Sequence, residues 1–297
     1  MLSIEKYSAL ARHAVDETAA DFEIGAKNNQ GETMLVPVSY QIAEPGFRPF
    51  RAGKASGMEL QKKFDNVVEQ AAIQGVDLGL DSKESVRKLM IQEGWGIDCS
   101  NFAFRALSRV HKQLDLPAYI TTVQRPASEI RDLYGVRPSW FAKDALGLHR
   151  PLTTNEAKML TDSDWLSVDW IAKTFGKDPE FITGSEHIAG EQSAVKVPAN
   201  EVLPGDVLAL QKADGDTVSH VAVVEDVEHG AESVLVDFWH SWHTRDFSAG
   251  LLSGSVSVDL ASGQTEWSHP GLADKTRYSG HFFARPILLK QLTDSIS

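Results

Sequence analysis

The chain has 297 residues, of which 42 % are apolar, and a formal net charge of −12. That is enough apolar matter for a core in one enlarged domain or two, while the acidic balance argues against nucleic acid, whose phosphates need a basic surface, and against anionic membranes or wall polymers. No stretch approaches the roughly 20 apolar residues that span a bilayer, and Met1 to Tyr7 hold no basic region followed by an apolar run, so a cytoplasmic location is expected, with export by a dedicated route left open.

Ile4, Tyr7, Ala11, Ala14, Val15 and Phe22 recur at helical spacing and predict a helix from Ser3 to about Phe22. Met34 to Ile42 reads as an extended edge segment, because Pro37 cannot donate to a ladder. Glu44 to Ser56, rich in Gly, Pro and Arg, reads as a surface loop. Helices are expected from Met58 to Gln74 and from Ser82, an N-cap, to Glu93. Asp98-Cys99-Ser100 then opens a helix to about Leu114, with Phe102, Ala103, Ala106, Leu107 and Val110 as its apolar stripe. The stretch from about 117 to 200 is expected to be an inserted, mostly helical subdomain with one helical run from Thr154 to Phe175. The last third changes period. Val207–Leu210, Val218–Glu225, Val234–Trp239, Ser255–Leu260 and Gly280–Leu289 are short β-rich runs between turn residues, which predicts a small antiparallel sheet and an α+β layout.

Cys99 is the chain's one cysteine, so no intramolecular disulfide or CxxC zinc site can form. It precedes the apolar stripe of its helix and lies at the helix mouth, where unpaired amides and the positive dipole end favour thiolate, the nucleophilic form. A thiolate nucleophile needs an imidazole partner. With Asp226 to about Ser233 as the turn, Glu225 pairs with Leu235, His220 falls opposite His240 on one face, and Asp237 falls opposite Val223 on the other. His243 lies past the strand end. A one-residue slip would undo the pairing.

Asp98-Cys99-Ser100, Pro204-Gly205-Asp206-Val207-Leu208, Ser219-His220-Val221-Ala222-Val223-Val224 and Asp237-Phe238-Trp239-His240-Ser241 resemble, in order, the D-C-S-G, P-G-D-L, H-V-G-I-Y and I-H-A-S motifs of the NlpC/P60 peptidases, relatives of papain. The resemblance touches about the last 210 residues. It implies a papain-like core, a Cys-bearing helix on a small antiparallel sheet, with an N-terminal helical and extended region at 1–80 and a catalytic domain at 81–297. It also implies a cysteine peptidase or amidase that needs no cofactor or metal. Cys99 would attack an amide carbonyl, His220 would hold its proton, His240 would orient His220, and the Cys99 amide would help bind the oxyanion. Asp98 and Ser100 would contact the free amine of a peptide substrate, although simple helix capping accounts for them equally well. Trp95 and Trp239 complete the candidate substrate-contacting set. Asn101 stands where the family has Gly, and the upstream aromatic and glycine run is compressed to Gly94-Trp95-Gly96. Cell-wall peptides are the family's frequent substrates. Three other readings remain open: a zinc module built from Cys99, His220, His240 and His243, an inactive fold serving as a binding module, and a thiol acyltransferase, which shares the thioester intermediate.

Overall fold

The computed structural model describes residues 2–40, 53–135, 152–179, 182–215, 217–242 and 250–296. The architecture is mixed α+β around a curled antiparallel sheet.

Ser3 caps helix α1 (Ile4–Asp21) by accepting from the Lys6 amide, and Tyr7, Ala11, Ala14, Val15 and Thr18 form its buried face. A hairpin of β1 (Glu23–Lys27) and β2 (Thr33–Pro37) follows. Helix α2 (Gly57–Ile73) starts at a reciprocal Ser56–Glu59 capping box. Gly57 is required there, because a Cβ would lie 1.6 Å from the Asp21 carbonyl oxygen. Ser82 caps α3 (Lys83–Gln92), and Asp98 caps α4 (Cys99–Gln113) through the Asn101 amide. The described end of the expected surface loop behaves otherwise: Gly53, Lys54 and Ala55 are buried, and Lys54 bridges to Ile97. Residues 44–52 of that loop lie outside the described residues.

The middle segment holds α5 (Ala127–Gly135), α6 (Thr154–Asp162), α7 (Val168–Phe175) and α8 (Ser185–Ile188), with β3 (Gln124–Pro126) paired to β4 (Trp165–Ser167). The single helix expected from Thr154 to Phe175 is therefore two. Ser163 turns the backbone extended, and the Ser167 hydroxyl starts α7 by accepting from the Trp170 amide. The segment is not walled off either, since Tyr119, Val123, Ile130 and Ile171 join the same core as Tyr7 and Phe102.

Seven strands make the main sheet: β5 (Ala194–Val197), β6 (Val207–Lys212), β7 (Val218–His229), β8 (Ser233–Trp242), β9 (Gly250–Asp259), β10 (Thr265–Trp267) and β11 (Tyr278–Pro286), in the order β10-β9-β8-β7-β6-β11-β5. The last expected strand stops at Pro286, and Ile287 to Leu289 begin helix α9 (Ile287–Ile296) instead. Asp206 of the Pro204-Gly205-Asp206 turn locks β6 to β11. Its carboxylate takes two hydrogen bonds from the Arg285 guanidinium, at 2.7 and 2.9 Å, with both residues buried. One face of the sheet carries Val207, Ala209, Val221 and Val223 and packs against α1 and α4. The opposite face carries Leu208, Leu210, Ala222, Val224, Val236, Phe238 and Trp242, which form a second apolar core within the curl.

Candidate active site

The site forms where the sheet splits. Partners between β7 and β8 run only as far as Val223 and Trp239, whereas β8 stays paired to β9 through Trp242. Val224 gives both its amide and its carbonyl to the β6 side, bonding Asp206 and Gly205. By alternation, the Val221 amide points the other way, into the space β8 has left. The N-terminus of α4 enters that space. Ser241 of β8 donates to the Ile97 carbonyl at 2.7 Å, and Ile97 bridges both Tyr40 and Lys54, so the segment before Cys99 is tied on three sides.

Cys99 is the first residue of α4 and 6 % exposed. Its sulfur meets the Ser185 hydroxyl of α8 at 3.4 Å and faces the Val221 amide. Burial pushes the thiol up, Asp98 adds to this, and Ser185, Val221 and Lys54 pull the other way. The balance favours the protonated thiol, against the thiolate that the helix mouth alone suggests. The desolvation of a buried sulfur outweighs the dipole of one helix turn.

His220 Nε2 and His240 Nδ1 are 3.0 Å apart. The expected strand register does not produce this contact. β7 runs on to His229, Glu225 bulges out, and the observed pairs are Val223 with Trp239 and Asp226 with Asp237, not Glu225 with Leu235 or Val223 with Asp237. The true register differs from the expected one by two residues at the histidines. A shift of two preserves the face, so His240 becomes a diagonal rather than a direct neighbour. Both rings project from the face opposite α4, with Trp242 edge-on to His220 at 4.9 Å. No hydrogen bond joins His220 to Cys99, and His220 Nδ1 takes none from a described residue. Burial, with Arg277 adding, pushes His220 down to about 3, and His240 is held well below its ordinary value by burial and its histidine neighbours. Both rings are therefore neutral at neutral pH.

Asp98 and Ser100 are engaged from within. Lys54 Nζ lies 2.9 Å from one Asp98 oxygen and 2.6 Å from Ser100 Oγ, and Ser100 donates to Asp98 at 2.9 Å. The buried Lys54 ammonium thus sits where the resemblance would place a substrate amine. Asn101 holds the strap that delivers it, donating to the Gly53 and Ala55 carbonyls at 2.9 and 3.1 Å, which a glycine could not do. Trp95 is 3 % exposed within the core, and Trp239 faces the α4 side, away from the histidines.

Sequence reasoning missed Lys54, Ser185, Tyr40, Trp242, Arg277 and Tyr278. Arg277 and Tyr278 are neighbours, the other four come from four separate segments, and none carries a local motif. Burial raises the Tyr40 and Tyr278 hydroxyls, and Cys99 contributes to both shifts. Among the described residues, no group of three or more His, Cys, Asp or Glu is placed to hold a metal ion, and His243 lies outside them. Compared with models of known protein families, with curated proteins and with solved structures, the chain finds no match.

Proposed function

We propose that this chain is a cysteine hydrolase of the NlpC/P60-like kind, a peptidase or amidase working through a thioester. The observation that carries the reading is the placement of Cys99 at the helix mouth, facing the amide of Val221, while His220, next to Val221 on β7, has Nε2 held by His240 and Nδ1 without a hydrogen bond to any described residue. A neutral imidazole with one nitrogen anchored is a general base with a defined free end. The thiol proton passes to His220 Nδ1 as sulfur attacks the carbonyl carbon. The imidazolium then returns that proton to the leaving amine, and water, deprotonated by the same ring, releases the acid. The Cys99 amide, at the start of α4 and ahead of the Asn101 amide that Asp98 caps, supplies a donor for the oxyanion. Because Lys54 already satisfies Asp98 and Ser100, the reading does not include a free-amine subsite on those two residues.

The test is a screen of wall peptides and N-acyl peptides, quenched in acid and read by intact-mass spectrometry for an acyl group on Cys99. Turnover should vanish in Cys99→Ala and fall by about 10² or more in His220→Ala. Turnover that survives in Cys99→Ala would remove the hydrolase assignment. Added glycine amide separates hydrolysis from acyl transfer, because transfer yields a new amide.

A further inference from the structure

Trp242 ends β8 beside His220, and the Arg277 guanidinium lies over the Trp242 ring at 4.9 Å. Tyr278 packs on the same ring at 5.9 Å, so Trp242 touches both His220 and the cation. The backbone around Arg277 is fixed: its amide donates to the Asp274 carbonyl at 3.0 Å, and its carbonyl accepts from the Ala213 amide at 3.1 Å. The acid at hand, Asp274, is turned onto Thr276, accepting from its amide at 2.9 Å and its hydroxyl at 2.7 Å. Arg277 is exposed and forms no ion pair with any described residue. In a chain of net charge −12, Arg277 is held over Trp242 beside the catalytic candidates with no ion pair to any described residue, and Asp274 is its nearest named countercharge. Stacking occupies one face of the guanidinium and leaves its edge donors free for a planar, bidentate partner.

We propose that Arg277 is a specificity-determining residue that receives a carboxylate of the peptide or amide substrate. This rests on the cysteine-hydrolase reading. One cation on an acidic protein suits a single carboxylate, whereas polyphosphate would meet repulsion from the rest of the surface. The position also agrees with the charge of Arg277 being felt at both His220 and Tyr40.

The test uses two alkylating reagents of nearly equal size, iodoacetate and iodoacetamide, at pH 9 and low salt, with Cys99 modification followed by mass spectrometry. Each variant's rate with neutral iodoacetamide is its own reference. The iodoacetate-to-iodoacetamide rate ratio should fall about three- to tenfold in Arg277→Met, a range set by one charge acting across several ångströms of partly screened space. Arg277→Lys should restore most of the ratio, and high salt should erase the difference between wild type and Arg277→Met. A ratio unchanged in Arg277→Met, with Cys99 alkylated normally by iodoacetamide, overturns the carboxylate role and leaves the hydrolase reading standing. Failure of both reagents to modify wild-type Cys99 overturns both.

Discussion

His220 Nε2 and His240 Nδ1 meet at 3.0 Å, although the two residues are diagonal rather than opposite on β7 and β8. One nitrogen must donate and the other accept. A His220 Nδ1 free to act as a base requires His220 Nε2–H to donate and His240 Nδ1 to accept; among the described residues this is the one hydrogen bond of the His220 ring, and His240 Nε2 is buried without a partner there. Under the proposed reading, this contact aligns the base. His240→Ala should lower kcat by about 10² to 10⁴ with the fold intact by circular dichroism. His240→Asn, which keeps a polar group near Nε2, should lose less. An unchanged kcat in His240→Ala would mean that packing against Trp242 alone orients His220.

The pH dependence of thiol reactivity follows from two opposed shifts. Burial raises Cys99 and lowers His220 to about 3, so above that pH both groups are neutral until the thiol ionises. Alkylation of Cys99 by iodoacetamide should therefore climb through pH 6 to 9 and titrate above the ordinary thiol value of about 8.5. A rate that is flat from pH 5 to 8 would reveal a thiolate–imidazolium pair instead.

The parts of this site that are local in sequence were legible there. Asp98 caps α4 and Cys99 opens it because a short acceptor before a polar-then-apolar run is a helix start, and α4 begins at that residue. The sharing of one face by His220 and His240 was also legible, since strand period is two and an even error in register leaves a side chain on its own face. The bulge at Glu225 was not, because no turn residue marks it. Lys54 was hidden for a different reason. Its loop composition reads as solvent-exposed, and only the fold reveals that Asp98 and Ser100, some 45 residues away, need a buried cation.

Removing that cation should be costly. Lys54 and Asp98 are 6 % and 8 % exposed, so Lys54→Met leaves a carboxylate buried without its partner, for which losses of about 3–5 kcal/mol are typical. Urea denaturation of Lys54→Met should show a lowered midpoint. The double variant Lys54→Met/Asp98→Asn, in which neither charge remains, should recover part of the loss. Additive losses in the double variant would show that the two residues stabilise the fold independently.

Glu225, the bulged residue of β7, is pushed up to about 7 by burial first, then by a hydrogen bond with Asp16 and by the charges of Asp16, Asp237 and Asp226. Arg12 pairs with Asp226 and so relieves this cluster only in part. The folded state thus holds a proton that the unfolded chain, with an ordinary glutamate near 4.3, releases earlier. The resulting stabilisation is complete below the unfolded value and is lost as pH rises through about 7. Above that, the ionised carboxylate opposes folding, by an amount reduced by solvent screening at this half-buried position. Glu225→Gln keeps a donor for Asp16 and cannot ionise. Its Tm should exceed that of the wild type by about 1–4 °C at pH 8, and the difference should close near pH 4.5. Differential scanning fluorimetry across that range reads both. A Tm gain of equal size at both ends would trace the effect to packing, and a loss at pH 8 would show that the carboxylate is ionised and well accommodated in the native protein.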